Sequence, residues 1–438
     1  MAGSFGSIST ALSGLRYNQV LLDVAGNNIS NADTDGYVRR RVVGSSVSSA
    51  APALWSRYDG HGEGVSVGEV RRMVDPLLDA RVRREHGMLS YLQTTSTVLS
   101  RVEEGIGEPG ANGVHAAMLD FRNAWQDLAT NPGGAAARQQ VLGRAETLAQ
   151  ALRVQVSNIA GEEADQQVHL TSLVSEVNTA ATDLAALNRS ILVTEANGTD
   201  AGTLRDRRDQ LALRLSELTG ATTTVRPDGQ FDVSVAGASL VSADVASTFA
   251  IDPAATYGGA VGAVTTLLTT TLPAYRAGLD AVAADLANAV NSQHALGFDA
   301  NGNPGGTFFT FDPAVGAASL QVAITDPNLV AASSLGGTAR NGDNADALSR
   351  VGTYSDAYQK LVNGFGTQVA AVGRQTANQA ALTGSLDTAW EQQAGVNLDE
   401  ETVTMLTAQR AYEAAARLLT TLDEVLDTLI NRTGIVGR

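Results

Sequence analysis

Both ends of this chain carry heptad seams, and a chain so built has long amphipathic helices at its two termini. The N-terminal seam runs Phe5, Ile8, Leu12, Leu15, Gln19, Leu22, Gly26 and Ile29, with spacings alternating three and four. The C-terminal seam runs Leu398, Glu401, Met405, Ala408, Tyr412, Ala415, Leu419, Leu422, Leu426 and Leu429 in the same alternation. That spacing draws a narrow apolar stripe down one side of each helix, as coiled-coil partners require. A rod of about 25 residues is near 40 Å long, and such helices gain most of their stability from packing. Gln19 and Gly26 thin the first stripe further. Two arrangements satisfy the seams. Each helix frays in the monomer and orders on assembly, or the two pair within one chain.

The 438 residues leave room for roughly three domains. Apolar residues make up 44%, but aromatics only 5%, so the cores are alanine-rich and suit packed helices better than a deep catalytic interior. The formal charge of −16, with Lys360 the single lysine, opposes binding to nucleic acid or an anionic membrane. Arginine clusters at Arg39 to Arg41, at Arg81, Arg83 and Arg84, and at Arg205, Arg207 and Arg208 read as solvated faces or helix ion pairs. Without cysteine there are no disulfides, thiol chemistry or Cys-based metal sites. The first residues lack the basic and apolar regions of a secretory signal, and no stretch approaches the roughly 20 apolar residues of a membrane span.

The first helix is expected from about Phe5 to Asn31, where Asn31 to Tyr37 introduces turn formers, Asp35-Gly36 the sharpest. Extended segments follow at Val38 to Val47 and Gly62 to Val70. Helices are expected at Pro76 to Gly105, Ala116 to Thr130, Ala135 to Ile159, Ala164 to Glu195 and Leu204 to Thr219. After Gly220 the pattern alternates: Thr222 to Val225 and Phe231 to Val235 flank Asp228-Gly229, a β-hairpin signal. Glycine, proline and asparagine crowd Asp252 to Gly262 and Gly297 to Gly306, around one helix at Tyr275 to His294. From Ala345 the helical pattern resumes to the end.

Chemistry-bearing motifs are sparse. Gly64-Val65-Ser66-Val67-Gly68 fits the nucleophile-elbow pattern, but its serine lies in a strand-like run with no helix directly behind it. His61, His86, His115, His169 and His294 are scattered without metal-ligand spacing. Asp299 to Asn303 begins like a calcium loop, but Pro304 replaces the required glycine and Thr310 the terminal glutamate, so it reads as an Asn/Gly turn. Neither a cofactor nor a metal is expected, and nothing in the residues points to an enzyme.

Several fixed positions near the N-terminus form a recognisable signature: Ala11-Leu-Ser-Gly-Leu15, Gln19, Asn27-Asn28-Ile29-Ser30-Asn31-Ala32 and Asp35-Gly36-Tyr37. This resembles the segment shared by bacterial flagellar rod, hook and hook-associated proteins. Gly395 to Glu401, with Gln409, Tyr412 and Ala414 to Ala416, resembles the matching end of the hook-associated protein 1 group. Leu204 to Leu211, Leu215 to Leu218, and Val290 to His294 with Gly297 to Asp299, Asn301, Gly302 and Gly305 are similar to internal blocks of that group, which rod and hook proteins lack. The stretch from Ala243 to Leu272 matches poorly.

The resemblance implies an adaptor at the junction between hook and filament, exported unfolded through the flagellar type III channel and placed outside the cell. The absence of disulfides suits such a route. It implies as partners further copies of the chain in a ring, the hook protein, a second junction protein of the hook-associated protein 3 type and through it flagellin, and an export chaperone. It implies that the two terminal helices pair. Phe5, Ile8, Leu12, Leu15, Gln19, Leu22, Ile29, Leu398, Met405, Tyr412, Leu419, Leu422, Leu426 and Leu429 then become assembly contacts, and Asn27, Asn28, Asp35, Gly36 and Tyr37 the turn that redirects the chain outward. The alternatives are a distal rod or hook protein, or a wall-acting enzyme secreted by the same route.

The expected fold is α+β, mainly α. A terminal coiled-coil assembly domain comprises 1–60 with 396–438, a helical bundle 61–220 with 340–395, and a β-containing insertion 221–339.

Overall fold

A computed structural model of the chain describes residues 2–47, 64–337 and 340–432, without the side chains of residues 2–5 and 432. His61 therefore lies outside the described residues, as does the side chain of Phe5. The fold is mainly α with small sheets. Helix α1 (Ala2–Ser30) leads through the Asn31–Gly36 turns into β1 (Arg40–Ser46), which pairs antiparallel with β2 (Val65–Arg72). Helix α2 (Pro76–Ile106) starts on a strong signal. Asp75 caps it by accepting from the Leu77 and Leu78 amides, Pro76 fills the first turn, and Gly107 ends it in the left-handed region.

Helix α3 (Val114–Thr130) is followed by α4 (Ala135–Ala196), 62 residues without a break. The sequence predicts two helices here, divided around Gly161. A lone glycine inside a helix costs only about 1 kcal/mol against alanine, and with no proline nearby the packing on either side carries the helix through. Helix α5 (Gly202–Thr219) precedes a four-strand antiparallel meander of β3 (Thr222–Val225), β4 (Phe231–Val235), β5 (Ala238–Ser242) and β6 (Val245–Ala246). The expected hairpin is its first half. Helix α6 (Gly259–Thr266), a π turn at Leu267–Thr271 and α7 (Leu272–His294) form one helical run, which begins well before the expected Tyr275. A two-strand ladder joins β7 (Phe309–Thr310) to β8 (Gln321–Val322). Then come α8 (Asp343–Arg350), α9 (Thr353–Ala394) and α10 (Leu398–Asp427), which ends in a π turn to Arg432.

Two apolar cores share α4. The first gathers α2, α3, the N-terminal half of α4, α7 and α9 around Phe121, Trp125, Phe308 and Phe309. The second packs the C-terminal half of α4, α5 and α6 against the inner faces of β4 and β5, with Leu184, Leu215 and Val233 at its centre. Segment 221–339 contributes to both: its meander lies in the second core, and α7 with Phe308 to Val330 lies in the first.

His294 and Asp299 are buried polar groups of this frame, each with hydrogen-bond partners in the chain. His294, fully buried, places Nδ1 2.7 Å from the Gly306 carbonyl, while its Nε2 lies 2.8 Å from the Ala331 N–H. Nδ1 must then donate and Nε2 accept, which fixes the neutral tautomer. Burial lowers its pKa further. Asp299 Oδ1 accepts from the Asn301 and Asn303 amides, the Asn/Gly turn expected in place of a calcium loop.

Candidate functional site: the terminal helix pair and its anchor

Helix α10 starts on Asn397, whose side chain accepts from the Asp399 and Glu400 amides. This cap sets Glu401 one turn inside, facing the end of α1. The two helices run antiparallel, since the end of α1 meets the start of α10 and they stay in contact along their lengths.

Their interface is thin. On α1 the fully buried side chains among those described are Ala11, Ala25 and Asn28, which share one face toward α10 and the β1–β2 hairpin. Each sits one residue before an expected seam position. Ile8, Leu15, Leu22 and Ile29 are half-buried on the flank, and Leu12 and Gln19 are exposed. Small residues at the contact let the backbones approach, and the larger apolar side chains are left partly open to solvent. On α10, Glu401 and Ala408 are buried and Met405, Ala415, Leu419, Leu422 and Leu426 half-buried, whereas Leu398, Tyr412 and Leu429 are exposed.

Asn28 is the centre of the base. Its Nδ2 donates to the Arg40 carbonyl (2.9 Å) and to Glu401 Oε2 (3.1 Å). Its Oδ1 accepts from the Tyr37 hydroxyl (2.9 Å) and the Arg40 amide (3.0 Å). All four hydrogen-bonding positions of the amide are used, as a buried Asn requires. Arg39 donates through Nε to Glu401 Oε1 at 2.7 Å and also pairs with Glu400. The Arg39 backbone links two more elements, its amide bonding the Ala394 carbonyl at the end of α9 and its carbonyl the Met73 amide after β2. Burial raises the Tyr37 pKa, with Arg40 opposing.

A second layer ties this arm to α5. Arg40 reaches Asp206 (3.3 Å), Asp200 (3.4 Å) and Thr203 (2.9 Å), and Arg72 binds Asp206 and Asp209, each at 2.7 Å. Burial pushes the Asp206 carboxyl up against the pull of Arg72 and Arg40. Gln210 donates to the Asp35 carbonyl at 2.6 Å. Gly36 sits at φ +72, where a Cβ would fall 2.2 Å from the Gln210 amide nitrogen, so the turn needs glycine for both space and conformation. The Asn27 side chain, by contrast, only bonds back to its own helix at the Asp23 carbonyl.

The acidic residues of the Leu204 to Leu211 block thus work as a clamp on the arm. Sequence reasoning flagged the block by resemblance but not this role. The available signal was its acidic positions facing the paired arginines Arg40 and Arg72, which no local spacing connects. In the same block Arg208 stacks 3.6 Å from the Phe231 ring and donates to the Gly229 carbonyl. Ser66 lies in β2 beside Ser45, in a hairpin and not at an elbow. Among the described residues no acid and histidine cluster holds metal geometry, and no helix is long and apolar enough to cross a membrane.

Comparison with known proteins assigns this architecture to a class. Residues 8–37 match the flagella basal body rod protein model, and 391–432 match the flagellar basal body rod FlgEFG protein C-terminal model. The paired terminal helices and the turn are therefore those of flagellar rod- and hook-type proteins. Residues 99–309 match the helical domain of flagellar hook-associated protein FlgK. The chain is 27% identical to flagellar hook-associated protein 1 of Bacillus subtilis across the whole of both chains. It is 24% identical to that of Escherichia coli over 97% of this chain and 99% of the relative. The flagellar hook junction protein FlgK from Burkholderia pseudomallei has the same fold, with a TM-score of 0.62 and 17% identity over 71% of this chain and 99% of that one. The chain is thus similar to flagellar hook-associated protein 1 along its full length.

Proposed function

We propose that this chain is a structural subunit of the bacterial flagellum, the adaptor between hook and filament, with no catalytic role. The observation that carries the reading is the likeness to hook-associated protein 1 over the full length of both chains. The internal helical-domain match favours it over a distal rod or hook protein. On this reading the chain leaves the cell unfolded through the flagellar export channel and forms a ring with further copies of itself. It then sits on hook protein, receives a second junction protein of the hook-associated protein 3 type, and through it holds flagellin.

The half-covered apolar side chains of the terminal helices are its assembly contacts. Ile8, Leu12, Leu15, Leu22 and Ile29 keep solvent access on one helix, and Leu398, Tyr412 and Leu429 on the other. Exposed apolar rows of this kind mark interaction surfaces. The turn at Asn28, Gly36 and Tyr37 directs the chain from this stalk into the two-core body.

A strain lacking the chain tests the reading. It should build hooks and release flagellin into the medium without retaining filaments, and labelled antibody against the restored chain should mark the hook tip. Normal filaments in the deletion strain overturn the adaptor role, and a defect in wall turnover instead supports a secreted enzyme.

A further inference from the structure

The β1–β2 hairpin has two different faces. Register places Arg40 opposite Arg72 and Arg41 opposite Arg71. The first pair points inward and is neutralised by Asp206 and Asp209. The second pair, one residue along on each strand, points outward. Both of its arginines are exposed, and neither pairs with a carboxylate among the described residues. Like charges directly opposite on a two-strand ribbon are destabilising, and no ion pair among the described residues offsets them. Glu69, at the irregularity in β2, makes no ion pair with either. Val43, on the same face of β1 as Arg41, is 42% exposed.

The outer surface of α10 has the converse character. Leu418, Val425 and Leu429 share a face by their spacing of seven and four, and each is more than a third exposed. Helix α10 carries seven carboxylates against two arginines, and the run Asp423 to Asp427 holds three with no base. Two copies of a chain with net charge −16 repel at long range. They meet best where one offers an uncompensated basic spot.

We propose that the outward face of the β1–β2 hairpin, with Arg41, Arg71 and Val43, docks onto the end of α10 of a second copy. Glu424 and Asp427 would face the arginines, and Val425 and Leu429 would cover Val43. This rests on the assembly reading above. It adds a contact outside the coiled-coil seams, and its charges select register and partner more than affinity.

The chain's lack of cysteine makes the test clean. In flagellated cells, Val43→Cys combined with Val425→Cys should give chain-to-chain dimers and longer ladders when isolated hook particles are treated with a short bifunctional maleimide. Either single variant should give none of the hairpin-to-helix product. Arg41→Glu with Arg71→Glu should lower incorporation about tenfold, in line with loss of a coupled charge pair. Adding Glu424→Arg and Asp427→Arg should restore it. If the double-cysteine chain is found at the hook tip without cross-linked copies, or is linked to a protein of different mass, this contact is wrong and the adaptor role stands. If the chain is absent from the flagellum, both fall.

Discussion

The side-chain amide of Asn28 binds both peptide groups of Arg40, accepting from its N–H at 3.0 Å and donating to its carbonyl at 2.9 Å. One side chain at the end of α1 thereby completes the pairing that the first residue of β1 would otherwise take from another strand. The same amide also meets Glu401 of α10, so helix, strand and opposite terminus are fixed at one point.

Asn28→Ala should therefore open the base and not merely weaken a helix. It takes the Asn28 partner from Glu401 Oε2, the Tyr37 hydroxyl and the N–H and carbonyl of Arg40, at a cost of about 2–4 kcal/mol, since each buried unsatisfied group costs about 1–3 and water recovers part. Hydrogen exchange should show α1 and α10 losing protection while α3 and α7 keep theirs. Equal loss across both cores would refute this division.

For Gly36→Ala the expected loss is about 1–3 kcal/mol, from a side chain forced into left-handed backbone. The added Cβ also collides with Gln210. Gln210→Ala in the same chain should relieve the collision but not the backbone strain, so stability should recover only in part. Full recovery in a denaturant titration would show that the conformation itself costs nothing.

Removing the carboxylate that both Arg40 and Arg72 share should release the arm from α5. Asp206→Ala leaves Arg72 with Asp209 and Arg40 with Asp200 and Thr203, a loss of about 1.5–3 kcal/mol for a charge-assisted contact. Limited proteolysis should then cut near residues 31–38 faster than in the parent chain. An unchanged cleavage rate would place the anchor elsewhere.

His86 gives a pH signature. Hydrogen bonding to Glu217, helped by Asp387 and opposed by burial, raises its pKa from 6.5 to about 9. A folded-state value above the unfolded one contributes stability in full below about pH 6.5, and that stability is lost as pH climbs through 9. The melting temperature of His86→Gln should lie below that of the parent at pH 6, with the gap closing by about pH 10. A constant gap would show that the imidazolium is not what links α2 to α5 and α9.

Charge in the C-terminal seam should block assembly without unfolding the body. Leu419 and Leu422 are half-buried on α10, and Leu419→Asp with Leu422→Asp places two carboxylates where apolar contact is needed. Incorporation at the hook tip should fail, while the thermal transition of the two cores stays in place. Normal incorporation would show that this stripe is not an interface.

Local pattern made most of the scaffold legible. Heptad spacing marked α1 and α10, Asp75-Pro76 marked the start of α2, and Asp228-Gly229 marked the β3–β4 turn. The unity of α4 was hidden because a lone Gly161 looks like a break until flanking cores cover both halves. The early start of the α6–α7 run was hidden too, since Gly258, Gly259 and Gly262 mimic a loop. Those glycines serve close packing, for a Cβ on Gly262 would fall 2.1 Å from the Tyr257 carbonyl oxygen. The anchor was the least visible part. Arg40 and Asp206 are 166 residues apart, and both look like ordinary surface charges until the arm folds back.

Helix α4 passes through both apolar cores as one hydrogen-bonded rod of 62 residues, roughly 93 Å at 1.5 Å per residue. A twisting load applied at one end would travel along that strut without meeting a loop to dissipate it. A coupling between a supple drive shaft and a stiff propeller needs that kind of spar.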